Sequence, residues 1–168
     1  LSDTVHLVLL AWRPTARIVN KRGASTVIES YHDQDSEEFK AIVAAAEGKQ
    51  DPNYVNYFGA EYLVWIDAIG KFSTFFCNSK TLRRAAKEQI HPCLSRNGEI
   101  KLVEFKTDFI KNANYSWYGL TAQVLSNQEP QSQPDQDTMD RTYNSFLNAK
   151  GGTETEATPA SAEATDER

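Results

Sequence analysis

The sequence predicts an α+β domain at residues 1–125, built mostly on antiparallel strands, followed by a disordered acidic C-terminal tail. Three observations predict this class. Several segments alternate apolar and polar residues with the period of a strand, two segments have the period of a helix, and the composition changes abruptly after Leu125. The strands are expected either to close into a small barrel or to remain an open sheet.

Three short strands are predicted in the N-terminal part of the domain. They cover residues 5–12, 16–20 and 26–31. The first two are separated at Pro14, because proline has no backbone N–H to contribute to a sheet. A helix is predicted next: Ser36 is a favourable N-cap, Glu37 and Glu38 lie where the helix dipole favours anions, and Gly48 ends the helix.

The clearest strand pair covers residues 61–67 and 71–77, joined by a short turn that ends at Gly70. A second helix is predicted at residues 80–90, where four cations share the outer face and Pro92 prevents the helix from continuing. Two further strands complete the domain, at residues 99–110 and 115–125.

The charges of the chain are unevenly distributed. The whole chain has a net charge of −5, but residues 129–168 contain nine acidic and three basic residues, which leaves the domain close to neutral. Within the domain, residues 71–111 contain nine basic and four acidic residues. Such a segment attracts phosphates and gains from counterion release, and an acidic tail can compete for it. Alternatively, both are ordinary solvated charge.

Aromatic residues interleaved with cations indicate where single-stranded nucleic acid would bind. Tyr115 and Trp117 fall on the polar side of the last strand, beside Gly119, whose missing side chain leaves room for a flat ligand. Sequence-tolerant single-strand binding requires rings that stack on bases and cations that follow the backbone. Trp117 could alternatively pack into a small core. The predicted nucleic-acid-binding residues are Lys71, Lys80, Arg83, Arg84, Lys87, Lys106, Lys111, Tyr115 and Trp117.

The C-terminal tail contains one segment with an apolar stripe at helical spacing. Residues 126–138 have the composition of a linker, and residues 139–168 are expected to be disordered apart from a short amphipathic segment at 139–147. This segment is a candidate to dock on a partner protein or on the domain itself. Its partner-binding residues would be Met139, Tyr143, Phe146 and Leu147.

Catalytic and cofactor signatures are absent from the sequence. It has no glycine-rich phosphate loop, no dinucleotide motif and no nucleophile elbow, which predicts a protein without catalytic residues, cofactor or metal. A nuclease would need acidic residues at strand ends, and Asp67 and the aspartates of residues 33–35 are the possible donors. His91 and Cys93 with Cys77 supply only three zinc ligands. His32 with residues 33–35 could bind a metal ion, but turn and cap chemistry explains these residues more simply.

Four short motifs give the domain a layout that resembles small phage proteins of DNA metabolism. They are residues 61–67 (EYLVWID), 72–76 (FSTFF), 79–81 (SKT) and 115–119 (YSWYG). The β-rich body with its acidic tail is similar to the OB-fold single-stranded DNA-binding proteins of phages and bacteria. This resemblance implies an OB-like barrel, a non-enzymatic role on single-stranded DNA in replication or recombination, and contact with replication or recombination proteins through the tail. The alternative is a protein-interaction module, or a modulator of a host enzyme, that acts through its acidic tail.

The composition also bears on the compartment. No apolar run approaches the length of a membrane span, and residues 5–12 lack the basic leader and cleavage site of a signal peptide. Two cysteines in a chain of this size are typical of free thiols in a reducing compartment. The sequence therefore predicts a cytoplasmic protein of a bacterium or a phage-infected cell, without membrane association.

Overall fold

The computed structural model describes residues 3–96 and 98–157, apart from the side chains of residues 117, 118 and 157. Within that part, seven strands and three helices form an α+β fold with a mostly antiparallel sheet. The chain divides into two compact units. The first contains the described residues up to Pro14 together with Gly59–Ala149, and the second contains Thr15–Phe58 and the described residues from Lys150 onward.

The strands and helices are named in chain order. The strands are β1 (Asp3–Arg22), β2 (Ser25–Tyr31), β3 (Tyr54–Ile66), β4 (Lys71–Cys77), β5 (Val103–Lys111), β6 (Ser116–Val124) and β7 (Gly151–Ala157). The helices are α1 (Glu37–Ala46), α2 (Lys80–Ala85) and α3 (Gln136–Asn148). α2 continues through a π turn at Ala86–Ile90 into a 3₁₀ turn at His91–Cys93, so residues 80–93 form one helical segment.

The sheet of the first unit has the order β4–β3–β1–β5–β6. β1 runs antiparallel to β5, β5 to β6, and β3 to β4. Among the described residues, the outer strands β4 and β6 do not pair with each other. The sheet is therefore open, which is one of the two predicted alternatives, and the OB-like barrel is not confirmed. The main core of this unit joins sheet residues such as Leu9, Tyr62 and Val103 to Ile90 of the helical segment.

β1 is one strand of 20 residues, so the prediction of two strands separated at Pro14 is wrong. The reason is a change of neighbour along the strand. Residues 3–7 pair with β5, whereas residues 16–22 pair with β2. Pro14 lies between these two paired stretches, so its missing N–H removes no hydrogen bond to β5 or to β2.

The second unit contains the predicted first helix in the predicted place. The Ser36 hydroxyl accepts a hydrogen bond from the Phe39 N–H at 3.2 Å, which is the N-cap contact that the sequence indicated. Phe39 and Ile42 of α1 pack against Ala16 of β1 in a small core of their own.

Part of the tail that was predicted to be disordered is folded. Residues 151–157 form β7, which pairs antiparallel with all seven residues of β2, and α3 is a third helix where two were expected. Composition misled the prediction because the segment is polar and contains two glycines. Thr153 and Thr155 alternate with glutamates, however, and β-branched threonine suits a strand that has an available neighbour. Residues 158–168 lie outside the described residues.

Within the first unit, Arg13 of β1 attaches α3 to the sheet. The Arg13 Nε donates to Glu61 Oε2 at 2.9 Å, and its Nη1 donates to the Phe146 carbonyl at 2.6 Å. The guanidinium also lies 3.9 Å from the centroid of the Phe146 ring, which packs with Ala11 and Leu63. Of the two predicted possibilities for the amphipathic segment, the structure shows docking on the chain's own body.

The linker before α3 is attached at Ser132. The Ser132 carbonyl accepts from the indole of Trp65 at 3.0 Å, and its N–H donates to Asp67 Oδ1 at 3.1 Å. Both Trp65 and Asp67 are buried. These contacts assign Asp67 a structural role in holding the linker.

Breaking the Arg13–Glu61 pair should destabilise the protein strongly. The Arg13 and Glu61 side chains are 14% and 3% exposed, so Arg13→Ala removes a guanidinium that is paired with a buried carboxylate. We expect a loss of about 3–5 kcal/mol in the free energy of unfolding, measured by urea denaturation. Arg22→Ala, at the exposed end of the same strand, should stay within about 0.5 kcal/mol of wild type. If the losses of Arg13→Ala and Glu61→Ala simply add in the double variant, the two residues are not coupled.

Candidate nucleic-acid interface

A basic cleft of about 360 Å³ lies at the end of the helical segment 80–93. Its lining consists of Lys87, His91, Pro92, Leu94, Arg96 and Lys101. Three of these side chains are cations and one is a histidine. Among the described residues that line the cleft, none carries a carboxylate, so the charged groups on its lining are basic.

The loop after the helical segment is held in place by two backbone contacts. The Ser95 N–H donates to the Leu9 carbonyl of β1 at 2.9 Å, and the Ser95 hydroxyl accepts from the Lys101 N–H at 3.0 Å. Leu94, next to this junction, is buried in the main core. The loop therefore folds back on itself, which brings Arg96 and Lys101 to the same cleft.

His91 connects the cleft to the core. Its Nδ1 lies 2.9 Å from the hydroxyl of Tyr62, which is fully buried. Burial raises the pKa of Tyr62, so this hydroxyl keeps its proton and can donate it to Nδ1. Burial, together with the nearby charge of Arg96, lowers the pKa of His91 from 6.5. When the Tyr62 hydroxyl donates to Nδ1, the neutral histidine carries its proton on Nε2, and Nε2 is then a hydrogen-bond donor.

Trp12 stands beside the cleft. The centroid of its indole ring is 4.6 Å from that of His91, with an angle of 67° between the ring planes. Trp12 is nevertheless 39% exposed, so part of a large flat ring is available next to the cations. An exposed ring of this kind can stack on a base.

The four predicted cations of the second helix have different surroundings. Lys80, Arg84 and Lys87 are exposed, whereas Arg83 is partly buried. The Arg84 Nε lies 3.0 Å from Glu88 Oε1, so its charge is partly compensated. Of the nine predicted nucleic-acid-binding residues, Lys87 lines the cleft in the part of the chain that the structure describes.

The other predicted residues lie on the strands. Lys106 is in β5 opposite Thr121, and it is partly buried. Three exposed residues lie elsewhere, at the first position of β4, at the end of β5 and in the turn before β6. They are Lys71, Lys111 and Tyr115. Trp117 pairs with Ile110 through its backbone, but its side chain lies outside the described residues.

The space beside Gly119 is filled, contrary to the prediction that it could hold a flat ligand. A Cβ built on Gly119 would lie 2.7 Å from Cδ1 of Ile110. The side chain of Ile110 therefore occupies the space beside Gly119. The register of β5 and β6 decides this contact, and the sequence of β6 alone does not contain it.

The predicted partner-binding residues of α3 differ in how far their side chains are exposed. Phe146 is buried against the body, and Met139 is partly buried. Tyr143 and Leu147 are 40% and 43% exposed. Only part of the predicted apolar stripe is therefore accessible.

The candidate metal ligands make other contacts. Cys93 Sγ donates to the Gln89 carbonyl at 3.2 Å, and burial raises the pKa of Cys77 to about 12. Asp33 Oδ1 accepts from the Asp35 N–H at 3.1 Å, which is turn chemistry. In the described ranges, no group of three or more His, Cys, Asp or Glu side chains is arranged to hold a metal ion. No helix within those ranges is both long and apolar enough to cross a membrane.

Four residues of the cleft region were missed from the sequence, namely Trp12, His91, Arg96 and Lys101. Arg96 and Lys101 belong to the basic segment but follow the helix, where no periodicity places them on a face. Trp12 was assigned to a strand far away in sequence. A usable signal was the density of cations after Pro92, since the segment remains basic where its helix ends.

No family profile, curated protein or solved structure matches this chain. The chemistry of the cleft therefore has to be judged from its own residues. Three cations around a concave surface, a histidine donor and an exposed indole can bind an anionic group with an attached flat ring.

The lowered pKa of His91 should make stability depend on pH. In the unfolded chain the pKa of His91 is about 6.5. At pH values between the lower pKa of the folded chain and this value, the unfolded chain binds more protons than the folded chain. The free energy of unfolding should therefore fall as the pH drops through this window. We expect His91→Gln to remove this component, so that wild type loses stability relative to the variant between about pH 7 and about pH 5 in urea titrations. A stability difference that does not change with pH would contradict the assignment.

Proposed function

We propose that the protein binds single-stranded DNA without altering it chemically, as a protein that covers displaced strands during replication or recombination. The observation that carries this proposal is the basic cleft at residues 87–101 beside the exposed indole of Trp12. The cleft would hold backbone phosphates, and Trp12 would stack on a base. The resemblance in layout to phage and bacterial single-strand binders points in the same direction.

The charge distribution favours a local site. The chain as a whole has a net charge of −5 and would repel DNA at long range. Binding therefore depends on the few cations that are concentrated where no carboxylate lines the surface. Lys87, Arg96 and Lys101 line the cleft together, and none of the described residues that line it with them is acidic.

The geometry favours single strands over duplexes. In a duplex the bases are stacked on each other, and an indole at the protein surface cannot replace those contacts without opening the helix. A single strand can present an unstacked base to Trp12 while its phosphates enter the cleft. His91 adds a neutral N–H donor, which gains strength when it binds a charged phosphate oxygen.

Removing one cation of the cleft should weaken binding and its dependence on salt. We expect each of Lys87→Gln, Arg96→Gln and Lys101→Gln to reduce the slope of log K against log salt by about 0.7, because one phosphate contact is lost. The measurement is a titration of a labelled single-stranded oligonucleotide at several salt concentrations.

Lys40→Gln is the matched control for these variants, because Lys40 is an exposed cation on α1 that pairs with Glu37. It should leave both the affinity and the salt slope unchanged. The proposal fails if wild type shows no binding at low salt, or if the control lowers the slope as much as the cleft variants do.

The tryptophan variants decide which ring stacks on the DNA. Trp12→Ala should cost about 1–3 kcal/mol of binding free energy, and Trp12→Phe should abolish the quenching of tryptophan fluorescence by oligo-dT. Trp65→Phe is the control, because Trp65 is only 8% exposed and donates to Ser132. If Trp117→Phe, rather than Trp12→Phe, removes the quenching, the stacking ring is Trp117 and the assignment to Trp12 is wrong.

A further inference from the structure

A larger groove of about 820 Å³ adjoins the basic cleft. One wall is formed by residues 95, 96 and 98–100, and the other is the segment that leads into α3 together with the first half of that helix. Arg96 lines both the groove and the cleft. Leu10, which also lines the groove, lies two positions from Trp12 on β1, so both side chains point to the same face of the strand.

The lining of the groove has a different chemistry from the cleft. Tyr143 supplies an aromatic ring that is 40% exposed, and Met139 and Pro134 supply apolar surface. The carboxylates of Asp140 and Glu99 supply acceptors to the groove, and Arg96, Gln133 and Gln136 supply donors. This combination suits a flat, uncharged ring that donates hydrogen bonds, whereas carboxylates repel a phosphate.

Asp140 has unused capacity as an acceptor. Its Oδ1 accepts from the Gln136 side chain at 2.8 Å. An ionised carboxylate offers about four acceptor positions, so this contact leaves room for a donor from a ligand. A hydrogen bond from an amino group to a carboxylate is charge-assisted and therefore among the stronger ones.

The helical wall of the groove is firmly attached. Phe146 is buried and its carbonyl accepts from Arg13, while Ser132 at the other end of the segment binds Asp67 and Trp65. α3 is therefore a fixed part of the surface beside the cleft. Charge alone indicated that the acidic tail can compete with DNA. Because α3 is attached to the body, this part of the tail instead forms one wall of the groove.

From this arrangement we infer that the groove is a base-binding subsite that selects bases with an exocyclic amino group. The inference rests on the proposed function, because the phosphates of the same strand occupy the neighbouring cleft. The base stacks on Tyr143 and donates its amino hydrogens to Asp140. Cytosine and adenine provide that donor, whereas thymine presents a carbonyl oxygen at the corresponding position.

The test compares homopolymers of oligo-dC, oligo-dA and oligo-dT of about 12 nucleotides with the full chain at one salt concentration. We expect oligo-dC and oligo-dA to bind about tenfold more tightly than oligo-dT, the size of one charge-assisted hydrogen bond. Asp140→Asn should bring the ratio of the dissociation constants close to one. Tyr143→Ala should weaken binding of all three by about tenfold.

Asp137→Asn is the matched control for Asp140→Asn, because Asp137 is an exposed carboxylate of α3 that is not among the residues lining the groove. It should change neither affinity nor preference. The inference is overturned if oligo-dT binds as tightly as oligo-dC, or if Asp140→Asn leaves the preference unchanged. If the cleft variants still weaken binding in that case, the proposed function stands without the subsite. If no homopolymer binds at low salt, both are wrong.

Discussion

The side chain of Arg13 holds together the parts of the first unit on which the candidate interface depends. It belongs to β1, pairs with Glu61 of β3 and binds α3 through both the carbonyl and the ring of Phe146. Burying a guanidinium costs desolvation free energy, which several partners in fixed geometry offset, whereas the same buried charge without Glu61 would be destabilising. Arg13 fixes one end of the wall that α3 forms, and the contacts of Ser132 with Trp65 and Asp67 fix the other end.

The cleft depends on a second junction, at the end of the helical segment. Tyr62 is fully buried in β3 and its hydroxyl reaches His91, which in turn contacts the exposed ring of Trp12. A core residue thus orients a surface histidine, and the histidine orients an indole. Because each contact uses a rigid ring, the site is organised before any ligand arrives, which reduces the entropy lost on binding.

Local signals were sufficient for the elements whose structure is decided locally. The hydroxyl of Ser36 identified the start of α1, because an N-cap bond spans three residues. Gly70 identified the turn between β3 and β4, where its φ of 60° is one that glycine adopts without strain. The basic helix that begins at Lys80 was also found, since its apolar stripe and its basic face lie within one segment.

Other features could not be found because they depend on distant neighbours. Whether Pro14 interrupts β1 depends on where β5 stops and β2 begins. Whether residues 151–157 form a strand depends on the free edge of β2. The space at Gly119 depends on Ile110 of the adjacent strand. In each case the deciding hydrogen bond or contact joins residues of different strands, and the periodicity within one strand does not predict which strand is its neighbour.

By itself, the sequence determined the fold class, the cap of α1 and the concentration of cations between residues 71 and 111, because composition and short-range periodicity carry these properties. Only the tertiary structure decided which cations act together. It brought Lys87, Arg96 and Lys101 around His91 and placed Trp12 beside them, whereas Lys106, Lys111 and Tyr115 went to the β5–β6 hairpin. The physical reason is that a binding surface consists of side chains close in space, and the pairing of strands sets those distances.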